Sequence, residues 1–408
     1  MISHYRCTVC NHIWQPDEVT YTCPLDGGNL DTILDFEGVR LETILQSQER
    51  SVWRYTPLLP VSDPGFEHTP LHQVGYTPVY EPERLRTQLG LRRLFIKDES
   101  RNPSASFKDR ASAIVVARAL ETNVQTIVAA STGNAGAAMA CMAAAVGMPA
   151  VILAPRTAPP AKVAQLLVYG AKVILVDGSY DQAFDLSIEA SHEFGWYNRN
   201  TGFNPFTVEG KKTAAFEIWE QVIRPLPSKE RLNVFVSVGD GNILSGVYKG
   251  FSDLISLGWL DQMPRIIGVQ AEGSAAVANA FFSGADYITP VQSNTLADSV
   301  SVDLPRDGLR ALRSVRKSEG FMLTVNDPEI LAAIPALGNS GIFVEPAASV
   351  AFAGLVKAVA AGQLDPSEPI LVLSTGSGLK DIRAATQSVA PAPIIEPTLD
   401  SLKKVIHG

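Results

Sequence analysis

Long apolar runs are missing from this chain. Its hydrophobic stretches are broken by Gly and Pro well short of the roughly 20 residues that a bilayer-spanning helix needs, so no membrane partner is expected. The opening Met1-Ile2-Ser3-His4-Tyr5-Arg6-Cys7 lacks the apolar core of a secretory leader, which predicts a cytoplasmic location. An excess of positive charge is missing too. With 34 basic against 42 acidic side chains the formal net charge is -8, which argues against a nucleic-acid partner but leaves room for a local basic pocket that binds a small anion. Cysteine is scarce, four in 408 residues, and too few for a disulfide framework to be the first expectation. What is present is an ordinary globular balance, 46% apolar and 19% charged, in a length sufficient for two or three domains.

Three of the four cysteines crowd into the first 23 residues. Cys7-x2-Cys10 and Cys23-x2-Asp26, followed by Gly27-Gly28, have the knuckle spacing of a zinc ribbon with a carboxylate in the fourth position. Aspartate ligates zinc, and His4 or His12 is an alternative fourth ligand. A ribbon that folds without metal is the competing reading. A catalytic metal is not expected, because structural ribbons close their coordination. The fourth cysteine, Cys141, lies in an Ala/Met-rich stretch and reads as core packing.

From about residue 125 apolar strands alternate with helical patterns. Strands are expected at Val124–Ala130, Ala150–Ala154, Lys172–Val176, Asn233–Val238, Arg265–Ala271 and Pro369–Ser374. Helices are expected at Ala135–Val146, Pro160–Tyr169, Tyr180–Phe194, Ile243–Leu257 and Ala347–Ala361. Near-continuous apolar strands alternating with helices predict open parallel sheets covered on both faces, an α/β fold.

Ligands of such sheets bind at the carboxyl ends of the strands. Three ends here carry small polar residues. Gly239-Asp240-Gly241-Asn242-Ile243 leads into a helix whose free N–H groups suit one phosphate monoester, and the G-x-G-x-x-G spacing of a dinucleotide site is absent. Ser131-Thr132-Gly133-Asn134 offers hydroxyls and N–H groups to a carboxylate and an amide to a phenolate oxygen. Ser374-Thr375-Gly376-Ser377-Gly378 places a hydroxyl where it can meet a pyridine nitrogen. Each turn alone reads as a plain strand-to-helix connection. The run Ser104-Ala105-Ser106-Phe107-Lys108-Asp109-Arg110 changes the balance. It sets Lys108 where a polar turn meets the apolar stretch Ala111–Leu120, so that the amine is partly desolvated and able to condense with an aldehyde. Together the lysine, the single-phosphate loop, the amide and the terminal hydroxyl are the complement of pyridoxal phosphate. Asp109 and Arg110 are expected to pair locally. His68 and His72, with Pro70 between them, read as loop residues, and His192 as a surface residue.

These residues also match a known pattern. Trp53-Arg54-Tyr55, Thr69-Pro70-Leu71, Lys97-Asp98-Glu99, Ser106 to Arg110, Ser131 to Asn134, Asn204-Pro205, Glu209-Gly210-Lys211-Lys212-Thr213, Ala297-Asp298-Ser299, Glu345-Pro346 and Thr375 to Asp381 resemble the threonine synthases over nearly the whole chain. These belong to the tryptophan-synthase-like, fold type II group of pyridoxal-phosphate enzymes. The resemblance implies a homodimer of two α/β domains acting on a small amino-acid substrate. It implies that Lys108 is the Schiff-base lysine and the acid–base group, with Phe107 beside the ring and Asn134 at the 3′-oxygen. Gly239, Asp240, Gly241, Asn242 and Ile243 would hold the phosphate through backbone N–H groups, with Thr375 at the ring nitrogen and Ser131 and Thr132 on the substrate carboxylate. The implied reaction converts O-phosphohomoserine and water to threonine and phosphate. Glu345 is implied to support the site from behind.

The chain departs from the familiar pattern at three positions. Ala135 and Thr207 stand where a threonine and an arginine usually help to hold the substrate phosphate, and Gly202 stands where serine is common. Losing an arginine from a phosphate site removes about 1.5–3 kcal/mol of charge-assisted bonding. Lys211, Arg156, Lys162 and Arg306 are the candidate replacements. The alternative is a related lyase or β-replacing enzyme, such as a serine/threonine dehydratase or a cysteate-synthase-like enzyme. A cofactor-free scaffold is the third option. The expected division is a ribbon-like segment 1–33, a large domain formed by 34–110 and 208–390, a small domain 111–207, and a tail 391–408.

Overall fold

The structure, a computed structural model, describes residues 1–226 and 230–407. The chain opens with an antiparallel three-stranded ribbon of β1 (Ile2–Cys7), β2 (Ile13–Trp14) and β3 (Leu30–Leu34), with β1 in the centre and Tyr5 opposite Trp14. Two further sheets follow. The larger takes β4 (Val79–Tyr80) and β5 (Arg93–Asp98) from before residue 100 and β10 (Asn233–Ser237), β11 (Arg265–Ala271), β12 (Met322–Val325) and β13 (Pro369–Ser374) from after 230. The smaller is built from the residues between: β6 (Ile127–Ala130), β7 (Ala150–Pro155), β8 (Lys172–Val176) and β9 (Tyr197–Asn198). The large sheet runs β12-β11-β10-β13-β5-β4 and the small one β8-β7-β6-β9. Every pairing in the two is parallel except β4 on β5.

The chain is therefore an α/β protein, and the strand sequences explain why both faces of the large sheet are covered, whereas β8 at the edge of the small sheet leaves Ile174 and Leu175 exposed. Along β10 and β13 every residue is buried. Val234, Val236, Leu371 and Leu373 point into one core. Phe235, Ile370 and Val372 alternate to the opposite one, against the helix Pro346–Ala360. Such two-sided burial needs helices on both faces, and sequence periodicity finds only some of them. The strand β5 and the helices Phe206–Ile218, Gly308–Lys317 and Asp327–Gly338 are additions to the sequence expectation. The first expected strand begins at Ile127, three residues later than read from sequence. Residues 391–400 are exposed, and the last described element is the helix Leu399–His407. Among the described residues no helix is long and apolar enough to cross a membrane.

Candidate active site

β10 and β13 are neighbours, with Val236 opposite Leu373, so the turns leaving their carboxyl ends emerge side by side. The lysine turn is fastened to the second of them. Phe107 N–H donates to the Thr375 carbonyl at 2.9 Å and Ser377 N–H to the Ala105 carbonyl at 3.1 Å. From within, Asp109 accepts from the Ser104 N–H at 2.7 Å and its hydroxyl at 2.5 Å. Lys108 thereby becomes the first residue of the helix Lys108–Glu121. The expected local pairing of Asp109 with Arg110 does not form. Successive helical residues point to different sides, and the fully buried Arg110 instead meets Glu99 at 2.7 Å and Glu217 at 2.5 Å.

Phe107, Lys108, Asn134, Gly239, Asp240, Gly241, Asn242, Ile243 and Thr375 line one pocket, together with Glu345. Ser131 and Thr132 line an adjoining cavity of about 500 Å³, which shares Lys108, Asn134 and Asp240 with the first. The glycine bend is tight. Gly241 has φ +88°, and a Cβ there would come within 2.9 Å of the Asp307 carbonyl oxygen; one on Gly239 would come within 2.9 Å of the Val300 Cα. With side chains excluded, backbone N–H groups at the start of the helix Asn242–Ser256 are what the bend can offer, and they fit a phosphate monoester. The Asn242 side chain is already occupied: it donates to Asp307 at 2.9 Å and accepts from Lys211.

Burial pushes the Lys108 amine below its ordinary pKa, opposed by Asp240 and Glu345 and reinforced by Arg199. Glu345 moves the other way. Burial raises it to about 7, with the hydrogen bond from Asn134 and the charges of Lys380, Lys162 and Lys108 only partly offsetting that. The Asn134 amide donates to Glu345 at 2.7 Å. A lowered amine beside a raised carboxyl, in a pocket at the ends of parallel strands, is an arrangement suited to proton transfer.

The four proposed replacement cations fall in different places. Arg306 lines the larger cavity. Lys211 lies behind the phosphate-type loop on Asn242, with its pKa pushed well down by burial and by Lys108 and Arg199. Lys162 pairs with Asp298, and Arg156 is exposed beside Asp177 at 3.4 Å. Sequence reading passes over Arg199, which also lines the cavity. The signal was its position just after β9, but a two-residue strand leaves no periodicity to detect. His68 and His192 are exposed. His72 is buried in the short turn Pro70–Gln73, with Nε2 3.0 Å from Asp63.

Away from these cavities, Cys7, Cys10, Cys23 and Asp26 bring their ligand atoms within 4.8 Å of one another. His4 and His12 are not in this group; His12 lies against Trp14 at 4.5 Å. Zinc bound to two thiolates at about 2.3 Å in a tetrahedron sets the sulfurs about 3.8 Å apart. Cys10 Sγ and Cys23 Sγ are 3.8 Å apart, and Cys7 Sγ is 3.3 Å from Asp26 Oδ1, so the donor set fits that ion.

A family model described as pyridoxal-phosphate dependent enzyme matches residues 71–376, and the chain belongs to that family. Among its curated relatives it is similar to a threonine synthase of Methanosarcina acetivorans, 36% identical over 99% of both chains. A second, of Methanocaldococcus jannaschii, is 37% identical over 98% of both. A threonine synthase of Mycobacterium bovis is 33% identical over 83% of this chain and 92% of the relative. Solved structures share the fold. The processed form of threonine deaminase isoform 2 from Solanum lycopersicum superposes with a TM-score of 0.66 at 23% identity, covering 81% of this chain and 92% of that one. An O-ureido-L-serine synthase mutant gives 0.67 at 19%, covering 83% and 98%.

Proposed function

We propose that this protein is a threonine synthase that converts O-phosphohomoserine and water to threonine and phosphate. The observation that carries this reading is the likeness to two archaeal threonine synthases over nearly the full length of both chains. In this reading Lys108 holds the cofactor aldehyde and moves protons at the substrate's α- and β-carbons. The Gly239–Ile243 bend takes the cofactor phosphate, Asn134 and Phe107 orient the ring, and Thr375 faces its nitrogen. Ser131 and Thr132 take the substrate carboxylate. Bound there, pyridoxal phosphate supplies an electron sink for the carbon that loses its proton. A hydroxyl such as that of Thr375 cannot keep the ring nitrogen protonated, so the reaction leans on the lysine and on local dipoles. The Cys7, Cys10, Cys23 and Asp26 cluster holds a structural zinc ion. The working form is a cytoplasmic homodimer, which a mass measurement in solution checks.

Ala135 and Thr207 favour a second reading, a related dehydratase or β-replacing synthase. The Thr207 hydroxyl donates to the Asn204 carbonyl at 2.8 Å and is fully buried, so it cannot do an arginine's work on a phosphate. One substrate panel separates the two. Pyridoxal-phosphate-loaded protein is expected to release phosphate from O-phosphohomoserine and form threonine. Release of a 2-oxo acid from serine or threonine, or sulfite-dependent turnover of O-phosphoserine, with no reaction on O-phosphohomoserine, would give the second reading the place of the first.

A further inference from the structure

Arg199 leaves β9 at the carboxyl end of a parallel strand and lines the same 500 Å³ cavity as Lys108. Its side chain is fully buried. Nε donates to the Ser112 hydroxyl at 3.1 Å and Nη1 to the Thr201 hydroxyl at 2.8 Å. Nη2 has no hydrogen-bond partner, and among the described residues no carboxylate forms an ion pair with this guanidinium. Burial lowers its pKa, to about 10, which leaves it charged at neutral pH. A cation buried without a counter-ion is costly, and an anion entering the cavity removes that cost.

A second guanidinium is close by. Arg306 lines the same cavity, held over the Phe184 ring at 4.7 Å and to Asp181 at 2.6 Å. The Tyr180 hydroxyl lies in the field of both arginines. The departure at position 202 belongs to this arrangement. Gly202 has φ +74°, and a Cβ on it would collide with the Arg306 Cβ, so a serine there would push Arg306 away. The cavity's carboxylates are occupied: Asp181 by Arg306, Asp298 by Lys162, Asp303 by the Ser293 N–H and hydroxyl at 2.8 and 2.5 Å, and Asp240 by the Arg306 backbone N–H at 3.3 Å.

We propose that Arg199 binds the phosphate of the substrate, with Arg306 as the second cation of that subsite. Together they take over the work of the arginine that Thr207 replaces. The inference rests on the reading of the protein as an enzyme of O-phosphohomoserine. It explains how the phosphate is held beside Lys108 although Lys211 is committed to Asn242.

The test uses the pyridoxal-phosphate-loaded protein and two probes, O-phosphohomoserine as substrate and inorganic phosphate as competitive inhibitor. Arg199→Gln is expected to raise both KM and the phosphate inhibition constant about tenfold to hundredfold, the loss that a charge-assisted contact represents, with a smaller change in kcat. Arg199→Lys should recover part of it, and Arg306→Gln should give a smaller rise. A fall in kcat with KM and phosphate inhibition unchanged would mean that Arg199 only supports the fold, and would overturn the inference. If Arg199→Gln does not retain the cofactor's absorbance, unchanged constants in both Arg199→Lys and Arg306→Gln overturn it instead. A wild-type protein inert on O-phosphohomoserine overturns the functional reading itself. An active wild type with indifferent variants overturns this inference alone.

Discussion

The hydrogen bond between Asn134 and Glu345 joins two residues 211 positions apart, and its acceptor carries an unusual load. Glu345 is buried and its carboxyl sits at about 7 instead of near 4.5. An acid whose pKa is raised by folding binds more protons in the folded state than in the unfolded one. Its ionisation therefore costs stability, beginning above pH 4.5 and reaching its full extent above 7. For cofactor-free protein, Glu345→Gln keeps an oxygen for Asn134 and removes that cost. The variant is expected to gain stability over wild type at pH 8, on the order of 3 kcal/mol as an upper value, and to lose the advantage near pH 4.5. Denaturant unfolding at the two pH values checks this; an equal difference at both would assign the effect to packing. Glu345 was visible in the sequence only through resemblance, because nothing local marks a glutamate before a proline as buried. Lys108 was legible from its own surroundings, a polar turn running straight into an apolar helix.

Between residue and molecule, the elements differ in how openly the sequence announces them. β11 and β13, mostly apolar and bounded by turn residues, lie where their composition puts them. The helix Phe206–Ile218 does not look like core, since it carries Glu209, Lys211, Lys212 and Glu217, yet all four are fully buried. Glu209 and Lys212 meet within the helix at 2.7 Å, but the other partners come from distant segments: Lys212 also meets Asp253 at 2.8 Å, Lys211 donates to Asn242, and Glu217 meets Lys97 at 2.8 Å and Arg110 at 2.5 Å. Burying charge is tolerable only when it is paired, and pairing across the fold leaves no sequence period. The glycine bend between β10 and its helix is the opposite case, legible because only glycine fits. Gly241→Ala forces a side chain into a left-handed conformation and against Ala311, a strain of about 1–3 kcal/mol. Pyridoxal phosphate affinity should weaken roughly tenfold or more, read by absorbance titration. Gly338→Ala is the control, since nothing lies within 4 Å of the added carbon and affinity should hold. Equal affinities in the two variants would mean that the bend does not hold the phosphate.

Across the whole molecule the N-terminal ribbon is joined to both of the larger sheets' surroundings. Tyr21 accepts from the Asn198 N–H at 2.9 Å and stacks on Phe203 at 4.5 Å, beside the small sheet. On the other side Asn29 donates to the Arg306 carbonyl at 2.9 Å and to Asp307 at 2.7 Å, and Arg310 pairs with Asp31 at 2.7 Å. Asp307 in turn accepts from Asn242 of the glycine bend, so one side chain connects ribbon and loop. A three-stranded sheet of this size has little core of its own, and metal binding is then folding free energy that the docked contacts can transmit. Protein prepared with zinc should contain about one zinc ion per chain, the capacity of a single four-ligand site. Cys23→Ser should lose it and melt a few degrees lower, a modest shift because one site is spread over a large cooperative unit. Because the ribbon holds Arg306 by its backbone, the same variant should also bind inorganic phosphate more weakly while keeping its pyridoxal phosphate absorbance. Elemental analysis, calorimetry and phosphate inhibition read the three effects. If Cys23→Ser left melting and phosphate inhibition unchanged, the ribbon would be an appendage that folds on its sheet alone, with no hold on the cavity beneath it.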